Sequence, residues 1–398
     1  MPQLPDELVE EIFLHLPPDE PAALVRASLA SKPWLALLTG PAFRARYREF
    51  HGAPPMLGLF YSRPDDTDDE EDPDPPFVST TKFAVRIPHF IDPTYQRFDA
   101  WDCRHGRVLL VDNGYSDPLL GVWDPITDCT RELVGLFFPD SFGVAVLCAV
   151  SGCDHRACHA GPFRVVYVGL EYSEDEDGEC VAVACVSSPD IGDWSKPRPD
   201  SLSEWNEQCP DLDLVAAADA FIRPMPSVLV NDALHFLLGY KHDDDRVEIL
   251  KYSLSSDSLS LIDAPLAESV VFHAPILMAM KNGTLGFAHV DRLTLYVWSR
   301  QIDSDGGASW TRLIVVDVKN LLPIKNPKRG SRLVGSVEGS DIIFVKTDLG
   351  IYEIDLKTLE WKERHKGENV KALFPYMSFY DPSGIYIPFM ILEQLLAR

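Results

Sequence analysis

Between residues 97 and 365 the chain keeps returning to one frame: strand, tight polar turn, strand, loop, strand, turn, strand. The frame is plain in RFDAWDCRHGRVLLVDNGYSDPLLGVWDPITDCTRELV (97–134), SVLVNDALHFLLGYKHDDDRVEILKYSLSSDSLSLID (227–263) and RLVGSVEGSDIIFVKTDLGIYEIDLKTLEWKERH (332–365). Segments 144–196 and 276–318 follow it less tidily. Strand-rich sequence repeating at roughly 50 residues is the signature of propeller blades. VWDPITDCT and YEIDLKTLE share a strand that ends in aspartate before a turn, and KYSLSSDSL occupies the same place. Such a turn folds a third strand back onto a fourth. A sixth blade is expected from MLGLFYS (56–62) and FVSTTKFAV (77–85) pairing with ALFPYMSFY (372–380), which would leave no exposed sheet edge. The expectation is an all-β, propeller-like domain of about six blades over 81–382. A pair of β-sandwiches is the alternative, and it explains the alternation of strands but not the period.

Residues 4–50 read as helices. Pro5 and Pro21 sit where proline suits a first turn, and Pro17-Pro18 separates two segments. Leu8 and Ile12 are four apart, as are Val9 and Phe13, and Leu16 continues the stripe. Asp6, Glu7, Glu10 and Glu11 lie on the other side or at the N-terminal end, where the helix dipole favours them. Asp19 precedes a second helix through Leu24 and Val25. Ser31 can cap a third carrying Trp34, Leu37 and Leu38, and PAFRARYREF (41–50) reads as one more. Helices this short carry more apolar side chains than they can bury, and that surplus calls for a partner surface.

Charge removes several function classes. With 61 acidic residues against 36 lysines and arginines, the formal charge of −25 disfavours phosphate backbones and anionic lipid, so neither nucleic acid nor membrane is an expected partner. The stretch 51–80 is expected to link the two domains. Inside it RPDDTDDEEDPDPP (63–76) holds eight acidic residues and four prolines, too repulsive to compact. The most apolar runs, 142–150 and 270–280, are too short to span a bilayer, and MPQLPDELVEEIF lacks the pattern of a secretory signal. Eight cysteines without such a signal read as reduced thiols in the cytoplasm or nucleus.

Leu4-Pro5, Leu8, Ile12, Leu16-Pro17, Leu24 and Ser31-Lys32-Pro33-Trp34 stand in the order and spacing of the F-box, and residues 1–50 resemble that family. Leu29 and Ala30 depart mildly, standing where the family often has cysteine and valine. The remainder is similar to the F-box-associated β domains of grass F-box proteins, through APPMLGLFY, DCRHGRVLL, VWDPITD and PYMSFYDP. The tail 383–398 fits no blade, and a short helix is expected from Phe389. The resemblance implies the substrate receptor of a ubiquitin ligase. A Skp-type adaptor, joined to a cullin and a RING subunit, would bind Leu4, Pro5, Leu8, Ile12, Leu16, Pro17, Leu24 and Trp34, with Leu8, Ile12, Leu16, Leu24 and Trp34 as exposed apolar anchors in a helix-in-groove contact. The β domain would hold an unidentified protein target, and catalysis would belong to other subunits. An enzyme or sugar-binding protein built on a propeller is a competing class, and an F-box scaffold outside any ligase is a third.

Other chemistry is set aside. Cys153, His155, Cys158 and His159 in GCDHRACH supply zinc-type ligands, but the spacing is cramped and no second pair follows at the usual distance, so a structural loop without metal is expected. SEDEDGEC (173–180) and QIDSDGG (301–307) place a glycine at the sixth position of a calcium loop but have Ala184 and Arg312 at the twelfth, where a bidentate carboxylate belongs. No nucleophile elbow, phosphate loop, dinucleotide glycine pattern or metalloprotease helix is present, and no cofactor is expected. Trp123, Trp298 and Trp361 are expected to fill blade cores.

Overall fold

The computed structural model describes residues 5–63, 77–81, 98–112, 120–127, 129–133, 141–172, 180–187, 214–216, 219–243, 246–265, 273–302, 307–367 and 370–379. Leu4, most of the acidic run, both candidate calcium turns and the tail 383–398 lie outside them. Among the described residues no helix is long and apolar enough to cross a membrane.

Four helices open the chain: α1 (Asp6–Leu14), α2 (Pro21–Ala30), α3 (Lys32–Thr39) and α4 (Pro41–His51). Proline stands in the first turn of α2, α3 and α4, where no amide hydrogen is needed. Ser31 caps α3, its hydroxyl accepting from the Trp34 amide at 3.3 Å. Gly52, at φ +76°, ends α4. Val9, Phe13, Leu14, Leu24, Leu38, Phe43 and Tyr47 make one small core, joined by Phe379 from the far end of the chain.

The remainder is a six-bladed β-propeller. Blade one takes β1 (Met56–Ser62) and β2 (Phe77–Ser79). Blade two is β3 (Phe98–Arg104), β4 (Arg107–Asp112), β5 (Leu120–Asp124) and β6 (Cys129–Leu133). Blade three is β7 (Phe142–Cys148), β8 (Phe163–Tyr172), β9 (Cys180–Ser187) and β10 (Leu214–Ala216). In blade four the inner strand is split into β11 (Ala220–Ile222) and β12 (Val228–Val230), both paired to β13 (Ala233–Tyr240), with β14 (Glu248–Ser253) and β15 (Ser258–Asp263) outside. Blade five is β16 (His273–Ala279), β17 (Leu285–Asp291), β18 (Thr294–Ile302) and β19 (Ala308–Asp317). Blade six is β20 (Arg332–Ser336), β21 (Ile342–Lys346), β22 (Ile351–Asp355) and β23 (Trp361–His365). The last strand, β24 (Ala372–Met377), returns to blade one and pairs antiparallel with β1, Phe60 opposite Phe374.

Inner strands touch in sequence around the ring, β3 to β7, β7 to β11, β12 to β16, β16 to β20, β20 to β24 and β24 to β3, so the circle is closed. The approach is close: a Cβ on Gly335 would lie 2.7 Å from the Leu373 carbonyl oxygen. Closure by β1, β2 and β24 is the expected one, but it makes 56–62 and 77–79 part of the propeller rather than of a linker over 51–80. The unit expected over 144–196 continues to Ala216, because its fourth strand follows a long excursion.

Turn chemistry explains the frame. His105-Gly106 and Asn231-Asp232 adopt positive φ at both positions (55° and 76°, 49° and 58°), the two-residue turn whose twist suits a hairpin. Asp124 accepts from the Ile126 amide at 2.9 Å, and Asp355 from Lys357 and Thr358, bending the third strand into the fourth. The apolar interior forms six wedges, one between each adjacent pair of blades. Outer strands face water: β23 alternates nothing inward and leaves Trp361 41% exposed. Trp123 is wholly buried and Trp298 packs half-buried on the wedge between blades four and five, so of the three tryptophans Trp361 corrects the expectation.

Candidate functional site

α1 divides its apolar residues between two faces. Val9, Phe13 and Leu14 turn into the helical core, while Leu8 and Ile12 are 52% and 53% exposed. Trp34 stands edge-on to Phe13, centroids 5.1 Å apart, and keeps 36% of its surface in water. Leu29 and Leu35 are exposed as well. Pro5 and Pro17 are exposed, and Leu16 is half-buried, its carbonyl accepting from the Tyr47 hydroxyl at 2.7 Å. Leu24 is the exception among the expected anchors: it is buried in the helical core and supports the surface from beneath. Helical periodicity marks α2 as amphipathic but does not say which face its own module covers. The same ambiguity in α3 hides Leu35, in the same turn as Trp34. Arg46 pairs with Glu10 and also lies 3.8 Å from Glu11, tying α4 to α1 on the acidic side of the helix.

The helices sit on one face of the propeller. Phe379, two residues past β24, enters their core with Tyr47 edge-on at 6.2 Å. Arg156, Ala157 and His159, from the β7–β8 loop, line a small cleft with Leu24, Phe43 and Tyr47. In an antiparallel blade the first and third turns share a face, and the second turn shares the other with the connections between blades. The β7–β8 loop and the end of β24 therefore place the helices on the face of the first turns.

Toward the channel on that face lies a pocket of about 440 Å³ that includes Asp102, Arg104, Ser227 and Glu338. These groups satisfy one another. Arg104 pairs with Asp102 at 2.6 Å and Glu338 at 2.7 Å, and donates to the Ser227 carbonyl at 2.7 Å, while Asp102 accepts from the Val146 amide at 2.8 Å. One guanidinium thus joins blades two, four and six, and Asp102 brings in blade three. Burial pushes the Asp102 carboxyl up to about 6, against the pull of Arg104. The arrangement is that of a structural tie, with its charges already partnered.

On the opposite face a groove of about 950 Å³ runs between blades five and six. Arg292 comes from the β17–β18 turn, Lys328 and Arg329 from the connection entering blade six, Arg332 from the first residue of β20, Lys346 from the last of β21 and Asp348 from the turn after it. Five cations against one carboxylate reverse the sign of a chain whose formal charge is −25. The sequence hid this, because the cations come from three separated stretches of the chain.

Three of the four candidate ligands in the cysteine–histidine segment come together in the fold. Cys153, His155 and Cys158 converge with Cys148, the last residue of β7, their ligand atoms all within 4.8 Å of one another. His159 does not join them. Its ring meets the Asp124 carboxylate at 2.8 Å. Burial and the adjoining thiols push Cys158 up to about 12.

A family model described as the F-box domain matches residues 1–46. No curated protein matches the chain. Among solved structures, a chain of a nidogen/laminin complex has 9% identity and a TM-score of 0.37, over 81% of this chain and 98% of that one. TolB from Acinetobacter baumannii has 10% identity and a TM-score of 0.38, over 84% and 69%. The WD40 domain of SCAP from fission yeast has 13% identity and a TM-score of 0.34, over 70% and 58%. Likenesses at that level carry no argument, and the architecture stands on its strand pairing.

Proposed function

We propose that this chain is the substrate-recognition subunit of an SCF-type E3 ubiquitin ligase, built from a Skp-type adaptor, a cullin and the F-box protein. The observation that carries the reading is an F-box domain whose α1 turns Leu8 and Ile12 outward, mounted on a closed propeller. Leu8, Ile12, Trp34 and Leu35 are the apolar anchors for the adaptor, with Pro5, Leu16 and Pro17 shaping the same end and Leu24 supporting it from the core; Leu4 completes the motif. The chain performs no catalysis. It holds a protein target while other subunits transfer ubiquitin, in the cytoplasm or nucleus, as the resemblance to grass F-box proteins implies.

The target belongs on the face away from the helices, where the basic groove lies. Cations there attract an acidic or phosphorylated segment, and arginine forks suit carboxylate and phosphate oxygens.

The test is calorimetric titration of the Skp-type adaptor with Leu8→Ala/Ile12→Ala. Each side chain has about half its surface left to bury, worth about 1–1.5 kcal/mol, so the pair costs about 2–3 kcal/mol, a loss of roughly 30- to 150-fold in affinity. The thermal melt of the β domain should not move. Adaptor binding within threefold of wild type would sink the ligase reading.

A further inference from the structure

We infer that Cys148, Cys153, His155 and Cys158 form a structural zinc site, and that the metal orders the loop on which the F-box helices sit. In blades two and four the first and second strands are joined by two residues, but β7 and β8 are joined by residues 149–162. A connection of that length with a single helical turn of its own (Cys158–Ala160) needs something to hold it. Its apolar content is slight. What it carries is ligands.

Four potential ligands lie within 4.8 Å of one another, with Cys158 Sγ 3.7 Å from His155 Nδ1. Around tetrahedral zinc, bonds of ~2.3 Å to sulfur and ~2.0–2.1 Å to nitrogen put neighbouring ligand atoms ~3.5–3.8 Å apart. Small side-chain rotations therefore close the site. Three thiolates with one imidazole favour zinc over magnesium or calcium, and four protein ligands leave no open position for catalysis. Binding releases the three thiol protons, leaving the centre with a net charge of −1.

The surroundings are those of a built site. The Val150 amide donates to Cys148 Sγ and the His155 amide to Cys153 Sγ, each at 3.4 Å, and such donors spread thiolate charge. His155 is held at φ +58°, and its ring stacks on His105 at 3.9 Å with planes 10° apart. Arg107, fully buried, donates to the Cys158 and Gly161 carbonyls and brings a positive charge beside the centre. None of the seven described cysteines is in a disulfide. Arg156 and Ala157, between the ligands, line one cleft with Leu24, Phe43 and Tyr47 of the helical module, so a metal here fixes the wall of the propeller that faces those helices.

The experiment is metal analysis of the full chain, isolated under reducing conditions without chelator. The expected content is about one zinc per chain. Cys153→Ser, on the half-exposed loop, should abolish it, whereas His155→Cys should keep it and Cys129→Ser should leave it unchanged. Cobalt loaded into the wild type should show thiolate charge-transfer and tetrahedral d–d bands that Cys153→Ser lacks. Stripping the metal should open residues 149–162 to protease. A zinc-free chain without cobalt–thiolate bands would overturn the inference. So would zinc retained by Cys153→Ser, or a disulfide within the cluster in freshly isolated protein.

Discussion

Arg104→Met removes the guanidinium that ties blades two, four and six together, and the structure sets the size of the effect. The Arg104 and Asp102 side chains keep 4% and 3% of their surface in contact with water, whereas that of Glu338 keeps 36%. Glu338 can therefore turn to solvent once its partner is gone. Asp102 cannot. Removing one member of a buried pair costs about 3–5 kcal/mol, a large share of the ~5–15 kcal/mol that holds a domain folded. The loss should depend on pH, and its sign follows from the carboxyl. Its folded pKa of about 6 lies above the ordinary 3.8, so the protonated form favours the fold. That contribution is complete below about 4 and disappears as pH rises through about 6. Without Arg104 the folded value moves higher, so the variant should regain stability when pH falls from 8 to 5.5. Urea melts at the two pH values read this directly. Asp102→Asn/Arg104→Met should recover part of the loss at pH 8, because no ionised group is left buried alone. A single variant within about 1 kcal/mol of wild type at pH 8, or one indifferent to pH, would refute the account of this network.

Two further outcomes follow from the fold and the groove. Truncation before Ala372 removes β24, leaving β1 and the β20–β3 junction unpaired or uncovered, and should abolish the cooperative melt of the whole propeller; a truncated chain that still melts as one unit would contradict ring closure. Lys328→Glu/Arg329→Glu, both exposed, should weaken capture of an acidic or phosphorylated target peptide at least tenfold, about 1.4 kcal/mol, and flatten its salt dependence, with adaptor affinity unchanged; equal capture by both proteins would move the target elsewhere.

How far the sequence speaks depends on how local the determinant is. Blades two and six were legible to within a residue because Asp124 and Asp355 write their turns into the sequence itself. Blade four was read equally well from 228 onward, and only β11, the first piece of its split inner strand, was missed; blade three was cut short because its fourth strand, β10, begins far along the chain from β9, and neither feature has a short-range signal. Leu8 and Leu24 look alike in a periodic pattern, yet one faces water and the other the core, since only the packing of all four helices decides. Cys148 shows the same limit more sharply. It reads as the apolar end of a strand, and only the antiparallel pairing of β7 with β8 returns it to the far end of the loop. Spacing alone groups Cys153, His155, Cys158 and His159, whereas the fold exchanges His159 for Cys148.

The end of the chain connects the two halves of the molecule mechanically. β24 closes the ring through β1, and two residues later Phe379 is buried among Phe13, Leu38 and Tyr47. No freely jointed linker intervenes at that contact. On the other side α4 runs into β1 through residues 52–55, where Ala53 and Pro54 line the channel mouth. The helical module is thus attached at both strands of the closing pair, and Arg156 and Ala157 of blade three face it across a small cleft. Two attachments, at β24 and at β1, fix an orientation where one would leave a hinge. The receptor role proposed above calls for that rigidity, since a target would have to be held at a set distance from a ubiquitin donor, and it comes from the same strand pairing that completes the propeller.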